Sequence, residues 1–297
     1  MARETLLQRL EHGTLVCDGG MGTQLMARGM TPGYCSEMWN IEQPAHVRAI
    51  HQAYRDAGCD LLTTNTFGGT RSSLAKHNHG DLVDQLNRAG AQLARSVADD
   101  RCLVLGDVGP FGDFLEPVGD ATPEQLTEIF TEQLQALKAG GADAVVIETM
   151  SEPAELAIAI RAAKSLGDWP VIATFAFAHG EAGVFRTMMG TSVADAVKAV
   201  IDAGADVVGA NCGTSLSLED YVTLANHLVG VAGRTPVIVQ PNAGTPQTVN
   251  GNLVYGATPE NMADLARKLI SAGVKIVGGC CGTNPDHLRA MSMAAKS

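Results

Sequence analysis

The phrase Gly140-Gly141-Ala142-Asp143-Ala144-Val145-Val146 decides the fold, because a glycine that closes a helix leads directly into a buried apolar strand. The same phrase recurs as Ala57-Gly58-Cys59-Asp60-Leu61-Leu62, Ala203-Gly204-Ala205-Asp206-Val207-Val208 and Ala272-Gly273-Val274-Lys275-Ile276-Val277. A first apolar run at Thr14 to Cys17 precedes these copies and others lie between them, at Cys102 to Leu105, Pro170 to Ala173 and Pro236 to Val239, so eight strands are expected. The intervening segments read as helices. Thr122-Pro123-Glu124 and Thr258-Pro259-Glu260 each set a capping hydroxyl before a first-turn proline and an acid. Met262, Leu265, Ala266, Leu269 and Ile270 then form one apolar stripe. Strands and helices alternating in this way leave a closed barrel or an open doubly wound sheet. The even spacing favours an α/β fold of the (β/α)8 TIM-barrel type, one domain over residues 1–297, with a helical N-terminal segment at Leu6, Leu7 and Leu10.

Composition narrows the function. The chain has 297 residues, 45% of them hydrophobic, enough for one large core. A net charge of -11 and a pI near 5.1 exclude a phosphate-backbone binder, so no nucleic-acid partner is expected. No stretch approaches the ~18 apolar residues of a membrane span, and the start, Met1 to Leu7, lacks a signal-like core. Seven scattered cysteines, an odd number, do not form a disulfide framework; a cytoplasmic protein with reduced thiols and no membrane partner is expected.

The segments after strands are long at Gly19 to Gln43, Pro110 to Ala121, Phe177 to Thr191 and Ala243 to Ala257, which in a barrel marks the C-terminal face as the functional one. Gly278-Gly279-Cys280-Cys281-Gly282-Thr283 opens there from a buried strand, and Cys212 opens from another. Vicinal cysteines form only a strained disulfide, whereas flanking glycines let both sulfurs turn to the same side. Three thiolates leave one position on a tetrahedral Zn2+, the mark of a catalytic rather than a structural ion. Asp18, Asn65, Glu148 and Asn242 fall at strand ends on the same rim. Cys17, Cys35, Cys59 and Cys102 read as packing residues, and His77 and His79 as a solvated loop. Phe111, Phe114, Phe177, Phe185 and Tyr255 either meet a donor or cover the barrel mouth.

Seven phrases in order carry a resemblance: Asp18-Gly19-Gly20-Met21-Gly22-Thr23, Thr64-Asn65-Thr66-Phe67-Gly68, Gly106-Asp107-Val108-Gly109-Pro110, Ile147-Glu148-Thr149, Asn211-Cys212, Gln240-Pro241-Asn242-Ala243-Gly244 and the Cys280-Cys281 stretch. Together they resemble the homocysteine S-methyltransferase family, above all the homocysteine-binding module of cobalamin-dependent methionine synthase, over nearly the whole chain. The resemblance implies a (β/α)8 barrel with Zn2+ held by Cys212, Cys280 and Cys281. It implies that the homocysteine head lies near Asp18, the backbone of Gly19, Gly20 and Met21, and Glu148, with Asn65 counted in the substrate-binding set. Asn242 matches a residue that occupies the metal when homocysteine is absent.

The residue chemistry agrees with that implication. A thiol of pKa ~8.5 needs a Lewis acid to ionise at neutral pH, and two carboxylates suit an ammonium group. The expected activity is transfer of a methyl group to homocysteine to form methionine. With no further module expected after Ser297, the donor is expected to be a separate methyl-corrinoid protein or S-methylmethionine. Only 4% aromatic residues rank a quaternary ammonium donor low, and Phe185-Arg186-Thr187-Met188-Met189-Gly190 departs from the family pattern. The open alternatives are a zinc enzyme for another small thiol or selenol, a phosphate-binding barrel lyase, and a non-catalytic homocysteine- or zinc-binding subunit.

Overall fold

The computed structural model of the protein describes residues 4–179, 184–213, 215–249 and 252–296. Parts of two segments expected to be long, 180–183 and 250–251, lie outside them, as do residues 1–3. Eight parallel strands follow one another around a ring: β1 (Leu15–Val16), β2 (Leu61–Thr63), β3 (Leu103–Val108), β4 (Ala144–Met150), β5 (Val171–Phe175), β6 (Val207–Cys212), β7 (Val237–Pro241) and β8 (Ile276–Val277). β8 pairs with β1 through Leu15↔Ile276 and Val16↔Val277. Between β1 and β2 the ring is completed by the bridge Cys17↔Leu61, where the Asp18 N–H donates to the Leu61 carbonyl at 3.1 Å and the Asp60 N–H to that of Val16 at 2.7 Å. This excludes the open doubly wound sheet and gives the (β/α)8 barrel.

The recurring phrase has a physical reading at each letter. Gly58, Gly141, Gly204 and Gly273 have φ of 96°, 99°, 104° and 99°, the left-handed conformation that lets a helix turn back towards its strand at least cost in glycine. The aspartate two residues on serves the neighbouring strand. Asp60 accepts the Val16 N–H at 2.9 Å, Asp143 that of Val104 at 2.7 Å, and Asp206 that of Val171 at 2.7 Å. Each thereby satisfies a backbone donor at the bottom of the barrel. The expected helix caps are present as well: Thr122 and Gln125 form a reciprocal box, as do Thr258 and Asn261.

Inside the ring, Leu15, Leu61, Leu103, Leu105, Ala144, Val146, Ile172, Val207, Ile238 and Ile276 pack together, and Leu6 and Leu10 of the helix Leu6–His12 plug the lower end. Leu7 of that helix faces solvent. Because side chains alternate along a strand, the next inward position up is read from the same series. It is polar on five strands, with Thr63, Asp107, Glu148, Thr174 and Gln240, and Asn211, one inward position above Gly209, stands level with Gln240. The long upper segments carry structure of their own. Gly19 to Gln43 contains the helices Met21–Met26 and Trp39–Glu42, and antiparallel hairpins pair Phe177–His179 with Phe185–Thr187 and Gln247–Val249 with Asn252–Val254.

Candidate metal and substrate site

Cys212, Cys280 and Cys281 converge above this polar layer, their sulfurs all within 4.8 Å of one another. A tetrahedral ion with bonds of ~2.3 Å sets its sulfurs ~3.8 Å apart, so the trio fits one ion. Cys212 ends β6 in the left-handed region, φ 53°, followed by Gly213 at φ 95°. A side chain there costs ~1–2 kcal/mol, and here it turns the thiol back over the barrel. The vicinal pair is held by backbone bonds to the β7 end: the Cys280 N–H donates to Pro241 at 2.8 Å and the Ala243 N–H to the Cys281 carbonyl at 3.0 Å. Hydrogen bonds from Cys212 and Cys280 push the Cys281 thiol down, and the same contacts push that of Cys280 up.

Asn242 stands at the same corner. Its side chain contacts the Cys212 sulfur, its Nδ2 donates to the Gly213 carbonyl at 3.4 Å, and its Oδ1 is buried without a hydrogen-bond partner among the described residues. An orphaned carbonyl oxygen beside the Cys212 thiol could serve as a fourth donor to an ion held by the three cysteines. Tyr221, from the helix Leu218–Ala232, ties both ends together: its hydroxyl donates to the Cys212 carbonyl and accepts the Asn242 N–H at 3.3 Å.

The carboxyls line the adjoining wall. Asp18 is buried at the β1–β2 seam, where it accepts the Thr63 N–H at 2.8 Å. Burial outweighs this bond and raises its pKa to about 7. Glu148 sits where β4 bulges between Ile147 and Met150, and the next residue, Thr149, is left-handed at φ 61°. Asn211 fixes that turn by accepting the Thr149 N–H at 2.8 Å and donating to its Oγ1 at 2.7 Å, with Thr174 bracing the amide. Burial, then the charges of Cys212 and Asp18, lifts Glu148 to about 8.

Gly19 and Gly20 are small because of close approach. A Cβ on Gly20 would lie 2.7 Å from the Cys280 carbonyl oxygen, and one on Gly19 would lie 2.5 Å from Thr283 Oγ1. Of the backbone donors expected to be available at Gly19, Gly20 and Met21, that of Gly20 is already given to Thr283 Oγ1 at 3.0 Å. Asn65 is buried, and its amide nitrogen is committed to the loop after β1, donating to the Ser36 carbonyl at 2.7 Å and to Asn40 Oδ1 at 3.1 Å. Among the rim aromatics, Phe111, Phe177 and Phe185 are buried packing residues, Phe114 is exposed, and Tyr255 lies over Gly282 with its hydroxyl at the Cys281 sulfur. Cys17, Cys35, Cys59 and Cys102 are buried, as expected of packing thiols.

Tyr221, Thr283, Asn211 and Asp107 were not singled out by sequence reasoning. Asp107 had a usable signal, an acid at an inward position of an otherwise apolar strand. Tyr221 had none, being one apolar position of an amphipathic helix.

Comparison with known proteins agrees with this geometry. Residues 15–295 match the family model of homocysteine S-methyltransferase. The chain is 33% identical to the methionine synthases of Mycobacterium leprae and Mycobacterium tuberculosis over 97% of its length, and spans about a quarter (25%) of each of these relatives. Crystal structures of the homocysteine methyltransferase MmuM from Escherichia coli share the fold at 23% identity. The metallated form has a TM-score of 0.78 with 97% of this chain and 99% of that one covered; the oxidised form has 0.75 with 96% of each. Among the described residues no helix is long and apolar enough to cross a membrane. The chain belongs to the homocysteine S-methyltransferase family.

Proposed function

We propose that this chain is a zinc-dependent, cytoplasmic methyltransferase, acting as one barrel domain over residues 1–297, that moves a methyl group to homocysteine and releases methionine. The observation that carries the reading is the meeting of three thiols and the orphaned Asn242 oxygen with two carboxyls in one barrel mouth. Cys212, Cys280 and Cys281 would hold Zn2+, with Asn242 Oδ1 as the donor that gives way to a substrate. Bound by three thiolates, the ion supplies the Lewis acidity that turns a substrate thiol into a thiolate at neutral pH.

The chain's own residues then do the positioning. Asp18 and Glu148, ionised by the arriving charge, take the substrate ammonium in charge-assisted hydrogen bonds. The N–H groups of Gly19 and Met21 face the carboxylate. With the head fixed, the sulfur is aimed out of the mouth at the donor's methyl carbon, which is the entropic part of the catalysis. The donor would be a methyl-corrinoid protein or S-methylmethionine.

The test combines metal and turnover. Purified protein should carry close to one zinc per chain and form methionine from homocysteine with one of these two donors. Cys212→Ala, Cys280→Ala and Cys281→Ala should each lose both properties. Full zinc retention in any of the three would refute the assignment, and methyl transfer to a selenol but not to homocysteine would redirect the substrate.

A further inference from the structure

A third carboxyl faces the pocket assigned to the substrate ammonium. Leu103, Leu105 and Asp107 alternate along one face of β3, and the two leucines belong to the barrel interior. The register Leu105↔Ala144 and Asp107↔Val146 sets Asp107 beside β4, whose own inward series Ala144, Val146 leads on to Glu148. The Asp107 backbone is fully engaged: its N–H donates to Thr64 Oγ1 at 2.9 Å, and its carbonyl accepts from Thr66 Oγ1 at 2.8 Å and Gln133 Nε2 at 3.3 Å.

Its side chain is engaged on one side only, by the Val108 N–H. Asp107 is 5% exposed, and its Oδ1 is buried without a hydrogen-bond partner among the described residues. The charged groups facing it are acids. Burial first, then Glu148, Glu37 and Asp18, raise its pKa well above the carboxylate range. Glu37 is occupied, accepting the Gly68 N–H at 2.7 Å and the Cys35 thiol at 3.3 Å. A buried carboxyl oxygen with no partner costs stability, and the acids Asp18 and Glu148 beside it, with Glu37 behind, add to that cost. A cation arriving from outside reverses the sign. An ammonium group carries three N–H donors in a tripod, and Asp18, Glu148 and Asp107 supply three carboxyls.

We propose that Asp107 is the third anchor of the substrate's α-ammonium group and makes the site select a thiol that carries one. This rests on the homocysteine reading above. Asp107→Asn retains the shape of the side chain and removes the charge; Asp107→Ser removes the reach. Both variants, metal-loaded, are to be titrated with homocysteine and with γ-mercaptobutyrate, which has the same chain without the amine. Homocysteine should bind about tenfold or more weakly to both variants, with γ-mercaptobutyrate unchanged. The ligand-free Asn variant should melt no lower than the parent, because a buried acid with an orphaned oxygen among other acids has been removed. Equal losses for the two thiols, no loss for homocysteine, or a lower ligand-free Tm in both variants would overturn the assignment. A parent protein that fails to bind homocysteine would overturn the functional reading and this one with it. A parent that binds and variants that bind equally well would overturn only the role of Asp107.

Discussion

Replacing Tyr221 by phenylalanine removes one oxygen from a buried ring and leaves two backbone groups without a partner. The hydroxyl donates to the carbonyl of Cys212 and accepts the N–H of Asn242, so a single atom joins two loops that each carry a proposed metal donor. Tyr221 is 1% exposed, and water does not replace the lost group freely. Each orphaned backbone group costs ~1–3 kcal/mol, so Tyr221→Phe should lose about 2–4 kcal/mol of stability in the metal-free protein. Cys212 is also released from the bond that braces its left-handed backbone, φ 53°, and can relax away from the other two sulfurs. Removing partners that orient metal ligands typically lowers affinity by ~10–100-fold, and that range is expected here. Urea unfolding in the presence of chelator measures the first quantity, and competition against a chromogenic chelator the second. Unchanged metal affinity together with the stability loss would reduce Tyr221 to a core residue, and no change in either would refute the reasoning altogether.

Glu148→Gln should raise the homocysteine KM by ~10–150-fold, the equivalent of about 1.5–3 kcal/mol for a charged hydrogen bond, while zinc content stays at the parental level; an unchanged KM would return Glu148 to the barrel interior. Gly20→Ala would force a Cβ to within 2.7 Å of the Cys280 carbonyl oxygen, so the cysteine loop must shift, and metal retention and KM should both suffer at a cost of ~1–3 kcal/mol. Parental values for both would show that the loop yields without consequence. Methionine carries the ammonium group but no thiol proton, so its affinity should rise with pH through the range from about 7 to about 8 in which Asp18 and Glu148 ionise. The same raised values act on folding in the opposite direction. Between the ordinary carboxylate range and about 8 the folded state holds protons that the unfolded chain has released, so ligand-free stability should fall as pH rises across that window. Urea midpoints that climb with pH there would contradict the assigned burial.

The barrel was legible because its signals are local and repeated. A glycine that must be left-handed at 58, 141, 204 and 273, followed by a buried apolar run, is written four times in the chain. The three thiols were legible for a different reason, since cysteine beside glycine at a strand end has few structural uses. Other parts of the site were not. The turn at Thr149 that aims Glu148 depends on Asn211 from β6, a bond between residues 62 positions apart. Asn65 sits at a strand end like the others, but Ser36 and Asn40 capture its amide, which no pattern within β2 could announce. Tyr221 is the same case on a helix, with an apolar ring that follows the helical period and a hydroxyl whose partners come from two other loops.

Thr283 Oγ1 accepts the Gly20 N–H at 3.0 Å and donates to the Cys280 carbonyl at 2.7 Å, so one hydroxyl belongs at once to the loop after β1 and to the loop after β8. The two loops are therefore bonded to each other through one side chain, and any coupling between them is reciprocal. If an ion that tightens the cysteine loop raises the affinity of the glycine loop for the proposed amino-acid substrate, that substrate must raise the affinity for the ion by the same factor. On the proposed reading the barrel mouth would work as an AND gate, with Thr283 as the hinge pin through which each occupant improves the lodging of the other.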